Sequence, residues 1–527
     1  MPRFIFVTGG VLSSLGKGTF TSSLAKVLKS SGVNVSAMKI DPYLNCDAGT
    51  LNPFEHGEVF VTQDGFECDL DLGTYERFLG IFAKKEQNLM MGTVYKTVIE
   101  KERRGEFLGK TLQLIPHVTN EIKSRIKKAA QVTGCDVLVV EIGGTVGDIE
   151  SEIVLEAIRQ MKYENPSEVL FIHLALVPTI ITGEQKTKPM QHSVRALLAR
   201  GIAPDALIAR SERELKEKTK EKIALFCNVL PEAVFSFPNV ELVYELPFIL
   251  RDQEVMKPIA EKFKLELREM NMNEWKAIVE KFKRMKEDKL IGVVGKYATT
   301  KDTYMSIFEA LMHAGISNGV KVKANLIDSE EIEKKPDKIK LSDYDGFLIP
   351  GGFGGRGTEG KIEVIKYARE NDVPLFGICF GFQLSVIEFC RNVLEWRDAA
   401  STEFSQETTH PVIDLLPEQR NIKELGGTMR LGVQKTILDD GTKALNLYGE
   451  KEILKRHRHR FEVNPGFISD IEKAGMRFSG KSEDGVKMEV LELKNHQYFL
   501  GSQFHPEFDS RLEKPEPLFH GLVKATL

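Results

Sequence analysis

Residues 4–19 read FIFVTGGVLSSLGKGT. Phe4–Val7 is a short apolar and β-branched run of the kind that suits a strand buried on both faces. Glycines follow, then a helical pattern that continues through Leu28. Strand, glycine-rich loop and helix in that order open an α/β unit, and they are the setting a phosphate-binding loop requires. Backbone N–H groups and the helix N-terminus there face an anion, and Lys17 can reach the outer phosphates. The spacing departs from G-x-x-x-x-G-K-[ST]: five residues separate Gly10 from Gly16, Gly18 follows Lys17, and Thr19 is displaced by one. A tight glycine turn without a ligand is the competing reading.

The same rhythm recurs downstream. Val137–Glu141 and Val169–Val177 read as further buried strands between helical patterns. Residues 262–289, KFKLELREMNMNEWKAIVEKFKRMKEDK, are charged, helix-forming and free of Gly and Pro, which predicts a solvated helix. The βα rhythm then restarts: Leu290–Val294 as a strand, a helix over Thr303–His313, and strands at Lys323–Ile327, Gly346–Ile349 and Pro374–Ile378. The expected architecture is α/β, with two doubly wound, mainly parallel-sheet domains. We place them at 1–265 and 290–527, joined by a helical linker over 266–289.

Composition bounds the function. The chain has 527 residues, 42% hydrophobic and 28% charged, with 72 basic and 76 acidic side chains for a net charge of −4. That is ordinary for a globular protein; it excludes a disordered or disulfide-scaffold chain and disfavours an extended nucleic-acid surface. The six cysteines, at 46, 68, 135, 227, 379 and 390, include no CxxC pair, which fits a reducing compartment and argues against zinc or thioredoxin-type motifs. Apolar runs stay under ten residues, where a membrane span needs about 20. The expected location is the cytoplasm, with no membrane or nucleic-acid partner.

Several groups carry candidate chemistry. Glu141 ends an apolar strand just before GGTVGD, at the strand end where open α/β sheets bind ligands, and Asp71 lies in CDLDLGTYERF. Each is a candidate Mg²⁺ ligand, since that ion takes one or two carboxylates and phosphate oxygens; each is also compatible with a capping or solvated role. In GEQKTKPMQHSV, residues 183–194, Lys186 and Lys188 alternate, so an extended backbone would aim both at one polyphosphate. An exposed basic loop is the alternative.

In the second half, Gly377-Ile378-Cys379-Phe380-Gly381 has the G-x-S-x-G form of a nucleophile elbow with cysteine as the nucleophile. A helix N-terminus there favours thiolate. A base and an orienting acid are then needed, and His505 and Glu507 in GSQFHPEF supply them. LIPGGFGGRG, residues 348–357, ends another strand in glycines whose N–H groups could stabilise an oxyanion.

PGG, GICFGFQ and HPE in this order resemble the class I glutamine amidotransferases, over about residues 290–527. VTGGVLSSLGKG, KIDPYLN, NPFEHGEVFVTQDGFECDLDLGTYERF, VEIGGTVGDIES, GEQKTKPMQHSVRALL and RHRHRFEVN look like the CTP synthase family, and that resemblance spans essentially the whole chain. It implies a ligase of pyrimidine biosynthesis that aminates UTP to CTP. ATP is consumed, ammonia comes from glutamine, and a 4-phosphorylated UTP is the intermediate.

The resemblance also implies roles. Ser14, Leu15, Gly16, Lys17, Gly18 and Thr19 would hold the ATP phosphates, Lys39 would approach the transferred phosphoryl group, and Asp71 and Glu141 would bind Mg²⁺. Ser13, Lys186, Thr187, Lys188, Pro189, Met190, Gln191 and Lys222 would hold UTP. Asp148, Ile149 and Glu150 would recognise CTP as a feedback inhibitor. Gly352, Phe380, Gly381, Phe382, Gln383, Glu403 and Arg460 would form the glutamine site, with Cys379, His505 and Glu507 as the triad. GTP would act as allosteric activator, with Arg356 a contributor. Ammonia would move through an internal passage, and the protein would be a homotetramer, with filaments in some members. An amidase that activates a carboxylate, and a non-catalytic nucleotide sensor, are the alternatives.

Overall fold

The computed structural model describes residues 2–12, 15–296, 300–415 and 429–527. They fall into two compact units, one of Met1–Leu51 with Cys68–Val279, the other of Asn52–Glu67 with Glu280–Leu527. Residues 52–67, which a linear boundary assigns to the first domain, thus pack with the second. Arg456 explains part of this: its Nη1 donates to the Val61 carbonyl at 2.8 Å, and its guanidinium lies 5.1 Å from the Phe60 ring centroid.

The first unit is built on seven strands: β1 (Arg3–Gly10), β2 (Val35–Asp41), β3 (Asn88–Met90), β4 (Val137–Ile142), β5 (Val169–Leu176), β6 (Ala206–Ser211) and β7 (Val234–Pro238). Their order is β3-β2-β4-β1-β5-β6-β7, and every pairing is parallel. β2 and β4 are buried at every position, as their apolar, β-branched sequences lead one to expect. Helices α1 (Lys17–Ser30), α2 (Asp71–Leu79), α3 (Lys188–Leu198) and α4 (Glu217–Cys227) follow strands or loops of this sheet. The central β1 has β4 on one side and β5 on the other, and β1 and β2 carry the ends at which a doubly wound sheet opens a ligand crevice.

The charged stretch 262–289 is not one helix: Lys262 and Phe263 end the helix Met256–Phe263, and α5 (Asn273–Arg284) follows. Lys264 turns into the left-handed region at φ 52° and ends the preceding helix. The backbone N–H groups of Arg268 and Asn271 bond the carbonyls of Ser31 and Ser30, which holds residues 265–272 out of a helix. Nor is α5 simply solvated. Trp275 is 1% exposed, its indole N–H donates to Tyr244 O at 2.8 Å, and Phe78 and Tyr244 pack on its ring.

The second unit has nine strands in one sheet: β8 (Asp288–Gly295), β9 (Lys321–Asp328), β10 (Gly346–Ile349), β11 (Leu375–Ile378), β12 (Arg430–Leu438), β13 (Glu452–His459), β14 (Met476–Ser482), β15 (Met488–Leu493) and β16 (Phe499–Ser502). The order is β9-β8-β10-β11-β16-β15-β14-β12-β13. The first five strands are parallel and the rest extend the sheet antiparallel. Helix α6 (Thr358–Glu370) precedes β11, and α7 (Phe380–Asn392) leaves it. Apolar cores cover both faces. Phe347, Phe382, Ile387 and Phe499 lie in one; Ile291, Phe376, Leu500 and Phe519 lie in the other. Among the described residues no helix is long and apolar enough to cross a membrane.

Candidate active sites

In the first unit, the chemistry gathers where β1, β2 and β4 end. The parallel register sets Lys39 directly opposite Glu141, so two charged residues that end apolar strands become neighbours. Lys39 Nζ donates to Glu141 Oε1 at 3.0 Å and also to Asp71, at the start of α2, and it lies 3.8 Å from Asp69. Tyr75, one turn into α2, donates its hydroxyl to Glu141 Oε2 at 2.5 Å. Asp41, at the end of β2, accepts from Asn88 at 2.9 Å. Lys17 Nζ donates to the Gly144 carbonyl at 2.7 Å, which ties the glycine loop to the GGTVGD turn.

Gly18 is dictated by a close approach. A β-carbon there would sit 1.9 Å from Asp71 Oδ1, so only glycine lets the first turn of α1 meet that carboxylate.

The electrostatics of this cluster are unbalanced. Asp41, Asp69, Asp71 and Glu141 face two ammonium groups, Lys17 and Lys39. Burial, with Asp71 beside it, pushes Glu141 up to about 7. Burial, with Asp69 beside it, pushes Asp41 to about 8, and burial takes Asp69 to about 6. Burial works the same way on Asp71, but Lys39 outweighs it and holds that carboxyl below the usual range. A surplus of buried carboxylate over ammonium is what a hard divalent cation relieves. No group of three or more His, Cys, Asp or Glu among the described residues forms a ready-made cage. Two carboxylates, with waters and phosphate oxygens completing the shell, are the donors that Mg²⁺ takes.

The other residues expected near nucleotides are arranged differently from the extended-loop reading. Pro189 sits in the first turn of α3, where its fixed φ suits the helix and whose first residue is Lys188. Lys186 precedes the helix and pairs with Glu184 at 2.6 Å, while Lys188 Nζ lies 6.0 Å over the Phe226 ring. The two lysines therefore do not stand on alternate positions of one strand. Lys222 is exposed on α4 and acts on the same Glu184. Met190 is wholly buried among Ala175, Val194 and Leu207. Gln191 Nε2 donates to Thr187 Oγ1 at 3.0 Å. Asp148 accepts from the Thr145 N–H and hydroxyl at 2.8 and 2.7 Å, and Ile149 and Glu150 beside it are exposed. Leu15 is buried, and Gly16 caps α1 at φ 86°. Ser13 and Ser14 lie outside the described residues.

In the second unit, three adjacent strand ends converge. β11 pairs with β16 so that Ile378 faces Ser502, and the Cys379 N–H donates to Ser502 O at 2.7 Å. Cys379 follows at φ 52° and ψ −97°, at the N-cap of α7. That is a strained conformation for a non-glycine residue, and it is the sharp turn the elbow sequence implies. Gly381 permits it, because a β-carbon there would lie 2.1 Å from the Ile349 carbonyl oxygen.

His505 Nδ1 and Glu507 Oε1 are 2.7 Å apart. Burial disfavours a proton on His505, but Glu507 and then the Cys379 sulfur outweigh it and raise the imidazole to about 10. The loop after β10 lies alongside: a β-carbon on Gly351 would stand 3.0 Å from His505 Cε1 and 3.7 Å from Cys379 Cβ. Glu403 Oε1 accepts from the Gly354 N–H at 2.6 Å, and Arg460 acts on the same carboxylate. Phe382, by contrast, is wholly buried and packs toward Phe478. Arg356 is exposed and lies 3.2 Å from Glu330.

One residue near the sulfur escaped the sequence reading. Gln503 Nε2 lies 3.7 Å from Cys379 Sγ, and its Oε1 accepts from Gln383 Nε2 at 3.2 Å, which also donates to Phe461 O at 2.9 Å. Its place two residues before His505 was visible; that the strand end would aim it at residue 379 was not. Tyr75 was hidden in the same way, since only the start of α2 brings it to Glu141.

Comparison with known proteins follows the same division. Residues 3–265 match the family profile described as CTP synthase N-terminus, and residues 299–525 match glutamine amidotransferase class-I. A CTP synthase of Methanosarcina acetivorans is 53% identical over 525 residues, covering 99% of this chain and 98% of its own length. One of Pyrococcus abyssi is 54% identical over 528 residues, covering 100% of this chain and 98% of its own. Among solved structures, the glutaminase domain of Trypanosoma brucei CTPS with bound acivicin is 34% identical. It spans 45% of this chain and 93% of its own, at a TM-score of 0.43.

Proposed function

The chain belongs to the CTP synthase family, and from that premise we propose how its residues divide the work of the reaction. It aminates UTP to CTP with consumption of ATP, using ammonia taken from glutamine. The observation that carries the reading is the presence in one chain of two separate chemistries. One is a glycine loop with Lys17 beside Lys39 and buried carboxylates; the other is a strained cysteine elbow beside a His–Glu pair.

In the synthetase part, taken as residues 1–265, the uracil 4-oxygen is a poor leaving group until it is phosphorylated. The α1 N-terminus and Lys17 bind the ATP phosphates, and Lys39 neutralises charge on the phosphoryl group in transfer. Asp71 and Glu141 would hold Mg²⁺, which would offset charge on the phosphate oxygens. Ammonia then displaces phosphate at C4. Lys186, Thr187, Lys188, Gln191 and Lys222 bind UTP. Asp148, Ile149 and Glu150 read CTP as it competes for the shared triphosphate pocket.

In the amidotransferase part, 290–527, the Cys379 thiolate attacks the glutamine amide. The loop at Gly352 and the Phe380 N–H receive the oxyanion. His505 protonates the departing ammonia and then activates water on the thioester, and Glu507 keeps its ring oriented. Glu403, with Arg460 and the backbone of 380–383, binds the amino acid end of glutamine. GTP stimulates this half-reaction, with Arg356 near the oxyanion loop contributing. The chain assembles as a homotetramer, a reading that rests on its family. The sequence character supports a cytoplasmic location.

The direct test is formation of CTP from UTP, ATP and Mg²⁺ with ammonium as nitrogen source. CTP appearing with ammonium supports the reading; absence of CTP, with a carboxylate amidated instead, contradicts it.

A further inference from the structure

Lys361 is placed against the usual rules. It is the fourth residue of α6, so its cation stands at the positive end of that helix's dipole. It is also 1% exposed, and a buried ammonium is costly unless an anion accompanies it. Yet among the described residues its Nζ makes no hydrogen bond and no ion pair; its recorded contact is the Phe380 ring, 5.2 Å from Nζ to centroid. Two titratable groups act on it. Lys296, at the end of β8, has the same sign, and Cys379, at the end of β11, is the one that can become an anion.

The position explains what the lysine is near. A β-carbon on Gly352 would lie 3.8 Å from Lys361 Nζ and 3.8 Å from Phe380 Cδ1. The ammonium therefore stands beside the Gly352 turn and the first residue of α7. Burial, with Lys296 adding to it, lowers the lysine to about 7, so its charge is poised and responds to an anion arriving nearby. Departures from local rules of this kind concentrate at functional sites.

We propose that Lys361 is a positioning residue of the glutaminase. Its ammonium, beside the Gly352 turn and the Phe380 ring, stabilises the oxyanion formed when the Cys379 sulfur attacks the glutamine amide. The proposal rests on the reading of Cys379 as the nucleophile. The competing view is that the lysine stem simply packs under Phe380.

The test is steady-state glutamine hydrolysis by the full-length protein, with ammonia-dependent CTP formation measured beside it, in wild type, Lys361→Met and Lys361→Gln. Loss of the charge predicts that both variants lower kcat for glutamine about tenfold with KM held, as expected when an interaction made only in the transition state is removed. Ammonia-dependent CTP formation should be unchanged. A glutaminase kcat that stays in place in Lys361→Met, which keeps the stem, overturns the proposal. So does a parallel loss of ammonia-dependent synthesis, which marks a structural role. Glutaminase activity surviving in Cys379→Ala would instead overturn the nucleophile reading, so the two failures are distinguishable.

Discussion

His505 Nδ1 meets Glu507 Oε1 at 2.7 Å in a site where both side chains are buried. The carboxylate, with the Cys379 sulfur, raises the imidazole from 6.5 to about 10 against the effect of burial. The folded value lies above the unfolded one, so the pair's contribution to stability is fully present below about pH 6.5 and is lost as pH rises toward about 10. Glu507→Gln should therefore lower the melting temperature most at pH 6, and the gap from wild type should close by pH ~10. The same variant should lose glutaminase kcat on the order of a hundredfold, since the acid–base residue is no longer held in its protonated, oriented form. Thermal melts at several pH values, with glutaminase assays, check both.

The Tyr75 hydroxyl is a donor that Glu141 cannot replace from solvent. Tyr75→Phe leaves Glu141 Oε2 without its 2.5 Å partner, which should cost about 1–3 kcal/mol in a denaturant titration. It should also raise the Mg²⁺ concentration needed for ammonia-dependent synthesis by about 10–100-fold, the usual effect of losing a partner that orients a metal-binding carboxylate. An unchanged Mg²⁺ requirement would separate Glu141 from the metal.

Gly18→Ala puts a methyl group where Asp71 Oδ1 now stands, 1.9 Å away. Either the loop or the carboxylate must shift, and misplacement on the ångström scale costs roughly a hundredfold. Synthesis from ammonia and from glutamine should fall together, while basal glutamine hydrolysis, which belongs to the other unit, should remain. Steady-state assays of the three activities test this.

Much of the architecture is legible in the sequence because buried parallel strands leave unbroken apolar runs. Phe4–Val7, Val137–Glu141 and Gly346–Ile349 all fall within observed strands. The antiparallel extension was harder to see, because strands such as Arg430–Leu438 and Glu452–His459 alternate buried with solvated or charged positions. The charged pattern over 262–289 reads as one helix, but Arg268 and Asn271 spend their backbone N–H groups on the end of α1, a tertiary choice that local propensity does not encode. For the same reason Lys186 and Lys188 do not share one face of a strand: a helix starts at Lys188, with Pro189 in its first turn. The motif residues at strand ends could be found by pattern. Gln503, Tyr75 and Lys361 could not, because their importance lies in what the register and helix starts bring beside them.

The central claim is that two chemistries in one chain are joined only by ammonia. Cys379→Ala tests it most directly, by comparing the rates of CTP formation from glutamine and from ammonium in the same preparation. The account predicts that glutamine-dependent synthesis disappears while ammonium-dependent synthesis stays within about twofold of wild type, as expected when only the covalent half-reaction is removed. Loss of both activities in a folded protein, or retention of the glutamine-dependent rate, would contradict it.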